Sequence, residues 1–102
     1  MPTIRRITLF KVPNKEDQKT LIGIYQGMQA NALKDGEQYI LSVDVGQAQE
    51  DQRAQGFTVA AVSSFAGIED MQYYDTECDA HKKLREFVRT VNQGFCMVYF
   101  SV

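Results

Sequence analysis

The apolar positions of this chain fall into short segments whose residue types change from strand-like to helix-like and back. Thr3–Val12 is rich in β-branched and aromatic residues and ends at the turn signal Pro13-Asn14, which predicts a first strand. The same criteria predict strands at Tyr39–Val45, Phe57–Phe65 and Phe95–Ser101. In the second of these four strands the alternation predicts one face made of Tyr39, Leu41, Val43 and Val45.

A first helix is predicted directly after the first strand. Asn14 is a suitable N-cap, because the acidic residues Glu16 and Asp17 then lie in the first turn, where the helix dipole favours them. The helix is predicted to run to about Leu33 or Lys34 and to end at Asp35-Gly36, with Gly36 as the left-handed cap. The apolar residues at helical spacing are Leu21, Ile24, Tyr25, Met28 and Ala32.

Two further helical segments are predicted between the third and fourth strands. Ile68–Tyr74 is a short helix, and Thr76 to Asp79 matches the capping pattern that would start a longer one. The longer helix has an apolar stripe and ends near Asn92–Gly94. The stripe consists of His81, Leu84, Val88 and Val91. The polar segment Gly46–Gly56 is predicted to be a solvated loop.

The order strand, helix, strand, strand, helix, strand predicts a single domain over residues 1–102. The fold class is α+β, with a ferredoxin-like βαββαβ order and an antiparallel four-stranded sheet. Connections of this kind place both helices on one face of the sheet. The opposite face then needs an explanation of its own.

The strands are apolar on both faces, which predicts a homodimer. Val59 and Ala61 alternate with Ala60 and Val62, and the last strand, Phe95–Ser101, is apolar at both parities. An uncovered apolar face usually marks an interface, and a second copy related by a two-fold axis is the simplest cover. The alternative is that the loop Gly46–Gly56 folds over this face, but that loop is too polar to bury well.

Charge and cysteine content narrow the range of functions. The 102 residues carry 11 Lys and Arg and 13 Asp and Glu, for a net charge of −2, so nucleic acid is not an expected partner. Cys78 and Cys96 have neither C-x-x-C spacing nor a histidine at metal-ligand spacing. No segment has the length or composition of a signal peptide or a membrane span. We expect a cytoplasmic protein with no metal, no cofactor and no membrane partner.

His81 is the only histidine and the strongest candidate for chemistry. Its position on the apolar stripe predicts that its ring points toward the sheet. Tyr74 lies seven residues earlier, a spacing that places both on one side of a continuous helix. A phenol and an imidazole in an apolar pocket form a general acid/base pair. The alternative is a core histidine that donates to a backbone carbonyl. The candidate pocket walls are Tyr25, Met28, Tyr73 and Phe87.

Several stretches, in order, resemble the stress-responsive A/B barrel (Dabb) family of dimeric α+β barrels. They are Arg6–Lys11, Gly56-Phe57-Thr58, Phe65, Glu69, Tyr74, Asp79-Ala80-His81 and the last strand. The resemblance extends over essentially the whole chain and implies the same fold and the same dimer. The family includes a plant polyketide cyclase similar to olivetolic acid cyclase, which closes a ring by an aldol-type reaction.

The resemblance also implies a pocket and roles for its residues. In the cyclase a tyrosine and a histidine at the positions of Tyr74 and His81 carry the chemistry. Two further pocket histidines of that enzyme fall at Arg6 and Val59 of this chain. Three functions remain open: a homodimer that binds a hydrophobic or aromatic small molecule, a cofactor-independent polyketide cyclase or lyase, and a structural oligomer without a ligand.

Overall fold

The chain folds as one four-stranded antiparallel sheet with helices on one face. The computed structural model describes residues 3–102. In chain order the strands are β1 (Ile4–Phe10), β2 (Leu33–Lys34), β3 (Glu37–Gln38), β4 (Ile40–Gln47), β5 (Val59–Phe65) and β6 (Phe95–Ser101). The main sheet has the order β4-β5-β1-β6, and every neighbouring pair is antiparallel. The predicted ferredoxin-like α+β fold is therefore confirmed.

The helices connect the strands, and the first of them begins at a side-chain cap. They are α1 (Lys15–Gln26), α2 (Met28–Asn31), α3 (Ile68–Thr76) and α4 (Asp79–Val91). The Asn14 side-chain oxygen accepts the backbone N–H groups of Glu16 and Asp17 at 2.8 and 3.2 Å, so the predicted N-cap is confirmed. Among residues 3–102 no helix is both long and apolar enough to cross a membrane.

The predicted end of the first helix is wrong. Helix α1 ends at Gln26, and Leu33–Lys34 pairs with Glu37–Gln38 in a small hairpin. Asp35 and Gly36 both have positive φ, +53° and +80°, as a two-residue hairpin turn of type I′ requires. Gly36 is left-handed as expected, but it closes a hairpin and does not cap a helix.

The predicted start of the last helix is also wrong. Helix α3 continues to Thr76, whose hydroxyl donates to the Gln72 carbonyl at 2.8 Å within that helix. Helix α4 instead begins after Cys78, which caps it without a side-chain hydrogen bond. Because Thr76 is the last residue of α3 and its hydroxyl bonds within that helix, it does not cap α4.

A β-bulge changes the faces of β4. Ile40 pairs with Phe65 and Ser42 with Ser64, so Leu41 is the extra residue. Ile40 is consequently buried, and Leu41 is 52% exposed, which contradicts the predicted common face of Tyr39, Leu41, Val43 and Val45. Tyr39, Val43 and Val45 do pack against the core, so Leu41 is the one residue that departs from the predicted face. The alternation holds only on one side of the bulge.

The sheet face opposite the helices is apolar and open. The residues of β1, β5 and β6 on this face alternate with the buried ones in the strand register. The apolar ones are Ile7, Leu9, Ala60, Val62, Cys96, Val98 and Phe100. Val98 and Phe100 are 54% and 46% exposed, so the segment Gly46–Gly56 does not cover them.

Candidate functional site

A cleft of about 450 Å³ lies between α4 and the β1–β6 side of the sheet. It exists because α4 packs against the other helices and hardly touches the strands, whereas α1 packs against β4 and β5. Strands β1 and β6 and helices α1, α3 and α4 contribute to its walls. The lining residues are Arg6, Thr8, Phe10, Tyr25, Asp75, His81, Leu84, Arg85, Val88, Arg89, Asn92, Phe95 and Met97.

His81 reaches this cleft from the first turn of α4, although its side chain is only 5% exposed. Its Nδ1 lies 2.8 Å from the Tyr74 carbonyl oxygen. A carbonyl can only accept a hydrogen bond, so Nδ1 carries the hydrogen and donates it. In the neutral ring, Nε2 is then left with a free lone pair that can accept a proton or a hydrogen bond.

The surroundings of His81 keep its ring neutral. Burial is the main cause that lowers its pKa from 6.5 to about 4, and the nearby Arg6 and Arg85 charges lower it further. The hydrogen bond to the Tyr74 carbonyl and the Asp75 charge oppose this change but do not overcome it. At neutral pH the imidazole is therefore uncharged, as a general base must be.

Tyr74 supports His81 from behind and does not line the cleft. The two rings stack with centroids 3.7 Å apart and planes 11° from parallel, and Tyr74 is only 2% exposed. On its other side Tyr74 packs against Phe65. Burial raises the pKa of the Tyr74 phenol well above its ordinary value. The predicted closeness of Tyr74 and His81 is confirmed, but they lie in two helices, not in one.

Tyr25 is the phenol that lines the cleft. It is 4% exposed, and burial raises its pKa to about 12, so it stays protonated and can donate a hydrogen bond. The Arg6 charge and hydrogen bonding with Tyr74 and Thr8 act in the opposite direction and lower the pKa of Tyr25. The sequence predicted Tyr25 as a pocket-wall residue and not as a hydrogen-bond donor, because helical spacing does not show where the hydroxyl group of a side chain lies.

Arg6 and Asp75 form an ion pair at the cleft. The Arg6 Nη1 atom donates to both carboxylate oxygens of Asp75, at 2.8 and 2.9 Å. The Arg6 guanidinium carbon lies 5.3 Å from the centroid of the Tyr74 ring, and Asp75 Oδ1 lies 3.8 Å from His81 Nδ1. The pair joins β1 to the end of α3 and places a positive charge where the resemblance implied a histidine.

The other expected pocket residues lie elsewhere. Met28 and Val59 are part of the packed core, 2% and 0% exposed. The Tyr73 hydroxyl donates to the Leu33 carbonyl at 3.1 Å beside the hairpin, and Phe87 packs against the core from α4. None of these four is among the residues that line the cleft. Two lining residues that sequence reasoning missed, Arg85 and Arg89, did carry a signal, because residues four apart share a helix face.

The side chains at the cleft are suited to hydrogen bonding and proton transfer with an organic molecule and do not form a metal-ligand group. Within residues 3–102 no three His, Cys, Asp or Glu side chains are grouped so that they could hold a metal ion. Both cysteines are free thiols, with Cys78 buried and Cys96 exposed on the open sheet face. The groups available are one neutral imidazole, one phenol, one paired carboxylate and three guanidinium groups.

A known protein family matches this chain. The model of the stress-responsive A/B barrel domain matches residues 4–102, which is almost the entire chain. This chain belongs to that family. The family assignment agrees with the dimeric α+β barrel resemblance that the sequence indicated.

Known proteins of two kinds are similar to this Dabb domain. A Gibberella zeae protein described as a fusaristatin A biosynthesis cluster protein is 36% identical over 99 residues, 96% of this chain and 72% of the relative. The hydroxynitrile lyase of Passiflora edulis shares the fold with a TM-score of 0.80 at 15% identity, covering 98% and 93% of the two chains. A dimeric ferredoxin-like protein of Thermobifida fusca has a TM-score of 0.78 at 15% identity, covering 99% and 92%.

Proposed function

We propose that this Dabb domain protein is a homodimer that binds an apolar or aromatic small molecule in the cleft between α4 and β6. The observation that carries this proposal is a cleft of about 450 Å³ with a neutral His81 at its wall. Ligand pockets have volumes of about 300–1,000 Å³ and combine apolar walls with a few polar groups. Here Leu84, Val88 and Met97 are the apolar wall, and Tyr25 and His81 are the polar groups.

Filling the cleft tests the binding proposal. The fluorescent probe 1-anilinonaphthalene-8-sulfonate is titrated into the parent protein, into Met97→Trp and into the control Leu33→Trp. Met97 lines the cleft, whereas Leu33 is 45% exposed on the distant hairpin. We expect Met97→Trp to weaken probe binding at least tenfold and Leu33→Trp to leave it unchanged. Equal binding by all three proteins would contradict the proposal.

A second candidate function is cofactor-independent proton transfer, and the tautomer of His81 favours it. Because Nδ1 donates to the Tyr74 carbonyl, Nε2 is the basic atom available to a bound molecule. A related protein comes from a biosynthesis cluster, and a lyase has the same fold, so both settings involve small organic molecules. The fold alone does not specify a reaction.

In this reaction His81 Nε2 removes a proton from carbon beside a carbonyl, and the electron pair moves to the carbonyl oxygen. The Tyr25 phenol and the Arg6 guanidinium then stabilise the enolate by hydrogen bonding. The enolate carbon attacks a second carbonyl of the same molecule, and the His81 imidazolium returns its proton to the new alkoxide. Tyr74 acts as a positioning residue, since it holds the His81 ring by stacking and by its carbonyl.

The low pKa of His81 restricts the substrate of this second candidate. A base whose conjugate acid has a pKa of about 4 is weak, so the carbon acid must be unusually acidic. A methylene between two carbonyls, as in a linear polyketide, is more acidic than the corresponding carbon of a simple ketone or ester and therefore suits such a base better.

A panel of linear tetraketide acids and thioesters tests the second candidate. The pair Tyr25→Phe and Tyr73→Phe is matched, because only Tyr25 lines the cleft. We expect His81→Ala to abolish cyclisation and Tyr25→Phe to slow it about 10²-fold, with Tyr73→Phe unchanged. Cyclisation by His81→Ala at the rate of the parent would exclude His81 as the base.

The homodimer follows from the open apolar sheet face and agrees with the dimeric relative from Thermobifida fusca. Val98 lies on that face and is 54% exposed, so Val98→Asp places a charge at the expected interface. Light scattering after size-exclusion chromatography should show a dimer for the parent and for Leu33→Asp, and a monomer for Val98→Asp. A monomeric parent at micromolar concentration would contradict the homodimer. The cleft lies on the opposite, helix-bearing side and stays open in such a dimer.

A further inference from the structure

The charges along the cleft are unbalanced. The lining includes three guanidinium groups, from Arg6, Arg85 and Arg89, and one carboxylate, from Asp75. Arg6 and Asp75 neutralise each other in their ion pair. The chain as a whole has a net charge of −2, so the positive excess is a local property of the cleft.

Arg85 and Arg89 are the two charges without a counterpart. They lie one helical turn apart on α4 and both line the cleft. Within residues 3–102 neither forms an ion pair, although the same helix pairs Lys82 with Asp79. Both arginines are exposed, so their guanidinium groups remain hydrated and able to meet a charged molecule.

The arginines border an apolar surface. Val88 lies between them in the sequence, and Leu84, Phe95 and Met97 also line the cleft. Phe95 is 64% exposed, which is unusual for a large aromatic residue beside a core. A molecule that fits this surface has an apolar body and one negatively charged end. A guanidinium group binds a carboxylate through two parallel N–H donors.

We propose that the ligand of this cleft is a carboxylic acid whose carboxylate is bound by Arg85 and Arg89 and whose apolar body lies against Val88, Phe95 and Met97. This proposal rests on the proposed binding function and specifies its ligand class. The acid group then lies on the α4 side of the cleft, and the apolar body lies along the cleft that His81 and Tyr25 also line.

Two probes of equal shape test the charge requirement. They are 1-naphthylacetate and the neutral 1-naphthylacetamide, titrated by calorimetry at pH 7 and 50 mM NaCl. An exposed ion pair contributes about 0.2–1 kcal/mol, which is up to about fivefold in affinity for each arginine. We expect the acid to bind roughly tenfold more tightly than the amide. We also expect that preference to shrink at 0.5 M NaCl, because salt screens exposed charges.

Substitutions on α4 identify the arginines as the cause. Arg85→Gln and Arg89→Gln should each reduce the acid preference, and the double variant should bind acid and amide equally, with the affinity for the amide unchanged. Lys83→Gln is the control, because this substitution also removes one positive charge from α4, and Lys83 does not line the cleft. An equal loss in Lys83→Gln would overturn the proposal, since it would indicate a general charge effect.

The outcomes of these titrations distinguish a failure of the carboxylate proposal from a failure of the proposed binding function. If acid and amide bind the parent equally and Met97→Trp abolishes both, the cleft binds ligands but the carboxylate proposal is overturned. If neither probe binds, or if Met97→Trp binds both as the parent does, the binding function fails and this proposal with it. Only an acid preference that depends on Arg85, Arg89 and the open cleft supports it.

Discussion

The two halves of the helix-bearing sheet face differ in how well they are covered. Over β4 and β5 the helix α1 packs directly on the strands, and Leu21, Ile40 and Val59 are between 0% and 3% exposed. Over β6 the helix α4 stands away from the sheet, and Phe95 and Tyr99 remain 64% and 48% exposed. One half is a hydrophobic core, and the other is a cleft.

A small domain can form a functional site at the margin of its core. A chain of 102 residues has a thin core, so a side chain placed at its margin can be nearly buried and still reach open space. His81 occupies that margin. Burial lowers its pKa, and the residue still lines the cleft. The covered half supplies stability, and the uncovered half supplies the site.

The largest expected effect is on the free energy of unfolding when an apolar side chain is truncated in the covered half or in the cleft. Leu21→Ala leaves a cavity in the covered half and should lower the free energy of unfolding by about 2–5 kcal/mol. Met97→Ala removes a half-buried side chain from the cleft and should cost about 1 kcal/mol or less. Urea unfolding measures both. Equal costs would mean that the two halves are packed alike.

The pH dependence of stability should report the buried His81. Its folded pKa is about 4 and its ordinary pKa is 6.5, so between these values the unfolded chain binds a proton that the folded chain does not. Stability is therefore lost as the pH falls from 6.5 to 4. The difference between the two pKa values corresponds to about 3 kcal/mol.

The variant His81→Gln isolates this contribution. Its unfolding free energy should fall less than that of the parent between pH 7 and pH 4, and the gap should approach the predicted amount. Parallel curves for parent and variant would show that His81 titrates normally in the folded protein.

A smaller effect is expected from the ion pair at the cleft. Asp75→Asn removes the partner of the nearly buried Arg6, which should cost about 1–2 kcal/mol, reduced by the one-third exposure of the Asp75 side chain. The control Asp51→Asn changes the exposed pair with Arg53 and should cost less than about 1 kcal/mol. Thermal unfolding compares the two. A larger loss for Asp51→Asn would contradict a structural role for the Arg6–Asp75 pair.

The local elements of the molecule were more predictable than the cleft. Segment order, the Asn14 cap and the apolar parity of β1, β5 and β6 follow from local patterns, and all three agree with the structure. The errors arose where a local sequence pattern is compatible with two structures or where no pattern marks the feature. Asp35-Gly36 fits both a helix end and a hairpin turn, and a bulge at Leu41 leaves no mark in the sequence.

The site was predictable only in part, for a physical reason. His81 could be located because it is the only histidine and lies on an apolar stripe. Which phenol reaches the cleft depends on the gap between α3 and α4, which sets Tyr74 behind His81 and leaves Tyr25 in front. The cleft itself results from how far α4 stands from β6, a tertiary distance that no periodicity encodes.

NMR of the single histidine tests the proposed ligand site most directly. 1-Naphthylacetate is titrated into the parent and into Met97→Trp while the His81 imidazole resonances are recorded; with one histidine in the chain, their assignment is unambiguous. We expect a saturable shift of the His81 resonances in the parent and none in the variant with the filled cleft. Resonances that do not move in the parent, or that move equally in both proteins, would contradict a ligand site beside His81.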